Sequence, residues 1–364
     1  MSVQVAYQKQ FLIFFFLFLI ILASIEIFAR FYEFQISTQT CVFQNKDAVK
    51  LNQELIISLC YDYQNILVDE KPFRQNVPNQ NLHTININSF GFRGDEIEIE
   101  KESGVFRIFM LGGSTMFGYG SSSDKTTIPA YLENRFAKSG LNVEVINAGV
   151  IGGYSLSETE LVKKSIINLQ PDMIIAYDGW NDALNNKIVS EKEETVDNFD
   201  DEFEEEKFSF LKFKNYQFYR TPFVIHRVME QNMGTISPLN EHEVLELTQL
   251  WNERWNEICK IGEQKNFSTV VFIHPTVFSG KKPLIGDESV LQAMDGRKIR
   301  INNVMSSLAS KLPELQDECT LTKDLRGIFD STYEPIFYDI GHTNDLGNKI
   351  IAEEIFHTVY PLVK

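Results

Sequence analysis

The 364-residue sequence contains neither G-x-x-x-x-G-K-[ST] nor G-x-G-x-x-G, so the usual glycine loops that cradle nucleotide phosphates are missing. The G-x-S-x-G elbow is missing too, because Met116 stands where its last glycine would be. Cysteine is scarce. Cys41, Cys60, Cys259 and Cys319 show no C-x-x-C spacing, which argues against a zinc or dithiol redox site. Their even number is compatible with disulfides on an oxidising face, such as Cys41–Cys60 and Cys259–Cys319, and four buried free thiols fit almost as well. Basic residues are outnumbered 34 to 50, a net charge of −16, which argues against nucleic acid as a partner. Half of that excess is local. Residues 191–207, EKEETVDNFDDEFEEEK, hold ten acids and two lysines. The run lacks the alternating spacing of a calcium loop, so an insertion over 189–208 reads as a solvated, flexible segment. No internal repeat is visible, and nothing in the chain implies a metal or an organic cofactor.

Against these absences stands one long apolar run, FLIFFFLFLIILASIEIFA, at 11–29. As a helix it would extend about 28 Å, close to the hydrocarbon thickness of a bilayer. The run exceeds the apolar core of a signal peptide and no A-x-A site follows it, so the sequence predicts an uncleaved single-pass anchor after a short tail, 1–10. Lys9 and the amino terminus precede the span, while Arg30 is offset by Glu33 after it. That leans toward a large domain on the extracytoplasmic face.

Residues 30–104 carry only short apolar patches and read as a juxtamembrane extension, closed by the glycine-bracketed turn around Arg93 in NSFGFRGDE. From Val105 the pattern becomes regular. VFRIFML, NVEVINAGV, DMIIAYDG and STVVFIHP read as buried strands, and RGIFD hints at a last one. Helical patterns alternate with them: TTIPAYLENRFAKSG, SLSETELVKKSIINLQ, EHEVLELTQLWNERWNEICKIGEQ, DGRKIRINNVMSSLASKL and NDLGNKIIAEEIFHTVYPL. The second is expected to open on a capping box at Ser155–Glu158 or two residues later. Such alternation predicts a parallel sheet covered on both faces, with ligands at the carboxyl ends of its strands.

Four clusters fall at those ends or in loops: Gly112-Gly113-Ser114, Asn147-Ala148-Gly149-Val150-Ile151-Gly152-Gly153, Gly179-Trp180-Asn181-Asp182 and Asp339-Ile340-Gly341-His342. In the last, a carboxylate three residues from a histidine can hold one ring nitrogen and leave the other free as a base. A serine hydroxyl is a weak nucleophile until such a base takes its proton. Gly152 lets a backbone N–H approach a ligand, and Asn181 offers an uncharged side-chain donor. Taken singly, each is an ordinary turn or cap residue. Asp182 is expected to cap the segment that follows it, and Trp180 and His274 to pack at the rim or line the pocket.

Together the clusters resemble the four motif blocks of the SGNH/GDSL hydrolase superfamily, in family order from Val105 to the C-terminus. GGST, NAGVIGG, GWND and DIGH stand for its nucleophile, oxyanion-glycine, G-x-N-D and D-x-x-H blocks. Gly113 departs from the aspartate usual beside the nucleophile, as in a membrane-associated branch of the superfamily. The resemblance implies a flavodoxin-like three-layer α/β/α sandwich over 105–364. It further implies a Ser114–His342–Asp339 triad and an oxyanion hole from Ser114, Gly152 and Asn181. The implied activity removes acyl groups, such as acetyl, from a small-molecule, glycan or lipid ester. Transfer of the acyl group to a sugar hydroxyl by the same triad stays open, as does a non-catalytic, membrane-anchored binding module.

Overall fold

The computed structural model describes residues 7–40, 53–184, 221, 238–286, 291 and 296–363. The acidic insertion expected at 189–208 therefore lies outside the described residues, as does Cys41. Five strands carry the architecture: β1 (Phe106–Gly112), β2 (Val143–Asn147), β3 (Met173–Asp178), β4 (Ser268–Ile273) and β5 (Leu321–Asp324). The described helices are α1 (Tyr7–Thr40), α2 (Gln53–Asn65), α3 (Ser114–Phe117), α4 (Ile128–Lys138), α5 (Ser155–Lys164), α6 (Trp180–Leu184), α7 (Glu241–Lys265), α8 (Gly296–Gln316) and α9 (Asp345–Val363).

All five strands are parallel, in the order β2-β1-β3-β4-β5. This is the flavodoxin-like order, and its switch point lies between β1 and β3, where the chain first turns to one side and then to the other. Near-continuous apolar strands suit a sheet buried on both faces, with side chains alternating between two cores. Ile108, Met110, Ile175, Tyr177, Val270 and Phe272 point into a core with Leu132 and Phe136 of α4 and Ile351, Ile355 and Val359 of α9. Their neighbours Phe109, Leu111, Ile174, Ala176, Val271 and Ile273 point the other way, against Leu161 of α5, Trp251 and Trp255 of α7, and Val304 and Leu308 of α8. The result is a three-layer α/β/α sandwich.

Capping chemistry sets the helix starts. Thr127 caps α4, its hydroxyl accepting from Ala130 N, and Asn240 and Glu243 form a reciprocal box at α7. The box expected at Ser155–Glu158 is replaced. Tyr154 N donates to Ser157 Oγ, while the Glu158 side chain is buried rather than turned back. The last strand also differs from expectation: it is LTKD, not RGIFD, which lies in the turns that follow. Residues 321–324 are only partly buried on the sheet edge, so they lack an apolar run, whereas Leu325 and Phe329 bury themselves as packing residues of those turns.

Cys259 of α7 and Cys319 are joined by a disulfide, and Cys60 is also disulfide-bonded. In α1 the stretch Lys9–Tyr32 is long and apolar enough to cross a membrane, a criterion of length and composition that a signal sequence also meets. Its single acid within the span, Glu26, pairs with Arg30 at 2.9 Å and accepts from Thr221 N and Oγ1.

Residues 53–104 pack onto the sandwich. Arg93, nearly fully buried, forms bridges to Ile87 and to Asn147 at the end of β2, joining a short hairpin to the sheet. Asn76 Nδ2 donates to Gly149 O at 3.1 Å. These bonds bring the extension to the loop ends where the sequence clusters lie.

Candidate active site

Ser114 follows β1 directly as the first residue of the four-residue helix α3, with Gly113 before it and Gly118, at φ +93°, ending the turn. The strand-to-helix turn lifts the serine out of the sheet at the switch point. The loop after β2 docks onto this turn, with Val150 N donating to Gly112 O at 3.0 Å. That sets Gly152 and Gly153 beside Gly113. Gly152 has φ +73°, a conformation that glycine adopts readily and side chains rarely do. The N–H groups of Ser114 and Gly152 have no acceptor among the described residues.

Asn181, at the start of α6 beyond β3, reaches the same place, and its Nδ2 donates to Gly153 O at 2.7 Å. This approach depends on Gly113: a Cβ there would collide with Asn181 Nδ2 and lie 3.0 Å from Gly153 O. Gly113 thus leaves the space that the amide fills.

His342 approaches from the opposite side. Asp339 and His342 sit on a tight loop before α9, closed by a bridge between Phe337 and Thr343 and by Tyr338 N donating to His342 O at 2.9 Å. Ser114 Oγ lies 2.7 Å from His342 Nε2, and His342 Nδ1 lies 2.7 Å from Asp339 Oδ2. Asp339 Oδ1 accepts from the backbone N–H groups of Gly341 and His342. Burial pushes the Asp339 carboxyl up, but the His342 charge and these donated bonds outweigh it and hold the group below its ordinary value. An ionised Asp339 fixes the proton on Nδ1 and turns the Nε2 lone pair toward the serine.

His274, at the end of β4, and Trp180 line the cleft with Ser114, Asn181 and Thr115. Trp180 packs against both histidines, with ring centroids 5.7 Å from His274 and 6.5 Å from His342, and its ring leaves room only for a glycine at 341. Burial pushes the His274 imidazole down to about 4; the charge of His342 adds to this, and the Pro275 carbonyl opposes it. Asp182 accepts from Ser155 N and Oγ. It therefore caps α5 across the fold, rather than the segment that follows it in sequence, because the β3 turn aims it back at that helix.

Three contributors were not legible from the sequence. The Tyr119 ring lies 4.6 Å from that of His342 and is backed by Tyr63 at 4.2 Å. Tyr63 Oη donates to Gly118 O and accepts from Gly120 N, gripping the turn after α3. The Arg74 guanidinium lies against Gly152, with Nε donating to Ile151 O at 2.6 Å. An aromatic between two glycines in FGYG was the only local signal, and it marks Tyr119 alone. Among the described residues no group of three or more His, Cys, Asp or Glu is placed to hold a metal ion.

Residues 108–355 match the model of the GDSL-like lipase/acylhydrolase family. Among solved structures, the acetyl xylan esterase AlAXEase is similar at 12% identity and a TM-score of 0.41, over 70% of this chain and all of that one. Axe2, an acetylxylan esterase from Geobacillus stearothermophilus, is similar at 11% identity and a TM-score of 0.40, over 70% and 94% of the two chains. No curated protein matches the chain in sequence.

Proposed function

Because the chain belongs to the GDSL-like lipase/acylhydrolase family, and so hydrolyses ester bonds, we propose that Ser114 is its nucleophile, His342 its general base and Asp339 the group that orients the base. In this reading Ser114 Oγ attacks the ester carbonyl as His342 Nε2 takes its proton. The carbonyl oxygen becomes an oxyanion held by the N–H groups of Ser114 and Gly152 and by the Asn181 amide. The imidazolium, stabilised by Asp339, returns its proton to the departing alcohol. Water then attacks the acyl-serine, His342 again takes the proton, and the acid leaves with Ser114 restored.

The observation that carries the reading is the unbroken chain Asp339 Oδ2–His342–Ser114 Oγ, two contacts of 2.7 Å, which ends beside two N–H groups without acceptors among the described residues. The cleft at Ser114 is small, about 190 Å³ with its open mouth included. This favours a short acyl group such as acetyl over a fatty chain. The site opens to the surface, which suits acyl groups displayed on envelope glycans or lipids. We further place the domain outside the membrane, anchored through 11–29. The Cys259–Cys319 disulfide supports an oxidising compartment.

The test is fluorophosphonate labelling of the full-length chain in detergent micelles. Label is expected on the wild type and lost in both Ser114→Ala and His342→Ala. An unlabelled, folded wild type, or label retained by Ser114→Ala, would overturn the assignment.

A further inference from the structure

His274 is 1% exposed, and its two ring nitrogens have different fates. Nδ1 lies 2.9 Å from Pro275 O. A carbonyl only accepts, so Nδ1 carries the proton and Nε2 presents a lone pair. That Nε2 is buried and has no hydrogen-bond partner among the described residues. The ring is neutral across the working range of a histidine base, since burial and the nearby His342 charge both disfavour the second proton. A buried acceptor left unmade costs free energy, so its presence in a reaction cleft points to a donor that arrives with the ligand.

The cleft's composition says which part of the ligand that is. Its lining includes Ser114, Asn181, Trp180 and His274, but not His342 or Asp339. A leaving alcohol must meet His342 to collect its proton, so the alcohol lies on the His342 side of the nucleophile. The acyl group lies on the other side, beside Asn181, in the cleft that His274 lines. Tyr177 and Trp180 pack around the imidazole, with centroids 5.3 Å and 5.7 Å away, and exclude water from its faces.

We propose that His274 sets acyl specificity: its Nε2 accepts a hydrogen bond from a hydroxyl or amino group on carbon 2 of a short acyl group, so that esters of small 2-hydroxy or 2-amino acids are preferred to plain acetyl and propionyl esters. The inference rests on the proposed role of Ser114 and deepens it. A site built around a hydrogen bond rejects the analogue that lacks the donor, because its own polar group is then left unpaired. His274 touches the substrate without exchanging a proton with it.

The experiment compares kcat/KM of the full-length enzyme in micelles on matched 4-nitrophenyl esters: acetic against glycolic acid, and propionic against lactic acid and alanine. Ser114→Ala serves as the blank for spontaneous hydrolysis. The wild type is expected to favour the donor-bearing member of a pair by about 10- to 100-fold after correction for intrinsic reactivity. His274→Phe should reduce that ratio to near one, and His274→Gln, which keeps an acceptor, should restore part of it. Equal rates in the wild type overturn the proposal whether or not the variants fold, as does a preference that His274→Phe preserves. Labelling of Ser114 in the same preparation separates the two readings. A labelled enzyme without preference sinks only the role of His274, whereas an unlabelled enzyme sinks both.

Discussion

The side chains proposed for the chemistry are held by small residues around them, and Gly113 is the sharpest case. A Cβ at this position would occupy the space taken by Asn181 Nδ2. Asn181→Ala should lower kcat by about 10²–10³, the usual cost of one oxyanion donor. Gly113→Ala should do nearly as much by pushing the amide aside, with little change in KM. If both act through the same amide, the double variant should be no slower than the slower single variant, a strongly non-additive cycle. Independent, multiplicative losses would show that Gly113 matters for another reason. At this scale the sequence was readable where a residue's neighbours are local. Asp339 and His342 stand three apart on one loop, and Ser114 directly follows a strand. The exchange at 113 was visible as a departure, but its consequence was not, because Asn181 lies 68 positions away. The same limit hid the capping of α5 by Asp182, since its partner Ser155 belongs to an earlier helix.

Between elements, the turn after α3 is held by the preceding extension as much as by the sandwich. Arg93 donates from Nε to Asp124 at 2.7 Å, from Nη1 to the carbonyls of Phe117 and Gly118, and packs its guanidinium over the Phe117 ring. On the other side Ser121 and Ser122 bind Asn348 and Asp345 of α9, the helix that follows the His342 loop. The Ser114 turn is thus tied to the His342 loop by α9 and braced from behind by Arg93. Arg93→Met would take the charged partner from Asp124, which keeps only the Asn86 N–H among the described residues, and one of the donors from each of the Phe117 and Gly118 carbonyls, and should destabilise the fold by about 1.5–3 kcal/mol. Denaturant titration should show part of this loss recovered in Arg93→Met/Asp124→Asn, which removes the stranded charge. No recovery would mean that Asp124 is solvated well enough to stand alone and that the brace is weaker than its geometry suggests. The sequence marked the glycine-bracketed turn around Arg93 without revealing its target. Strand and helix periodicity report which face of an element is buried, whereas an arginine reaching across to another segment leaves no periodic trace.

For the whole molecule, the order of strands and helices followed from hydrophobic patterning because each buried strand is short, apolar and stopped by a turn. The edge strand β5 escaped because half-exposed positions carry no such pattern. Patterning also says nothing about charge sealed inside the fold, and the sandwich contains an instance. Glu158 on α5 is buried, and neither of its carboxyl oxygens has a partner among the described residues. Burial, reinforced by the charges of Asp178 and Asp182, raises its pKa well above the ordinary 4.5. Asp178 instead accepts from Gly179 N and from the indole N–H groups of Trp251 and Trp255, and Asp182 accepts from Ser155, so Glu158 is the acid of the three without donors. The native state therefore keeps a proton on Glu158 that the unfolded chain releases near pH 4.5. Stability linked to this proton is fully present below that pH and is lost as pH rises through the native-state value. While only the native state holds the proton, the loss amounts to about 1.4 kcal/mol per pH unit. Glu158→Gln supplies a neutral side chain of the same shape at every pH. Melting temperatures of the two proteins should therefore be similar near pH 4 and diverge above it, with the wild type falling below the variant toward pH 8. Parallel curves would show that Glu158 is ionised in the native protein and that water or a rearranged donor reaches it, and the buried acid would then carry no pH dependence of its own.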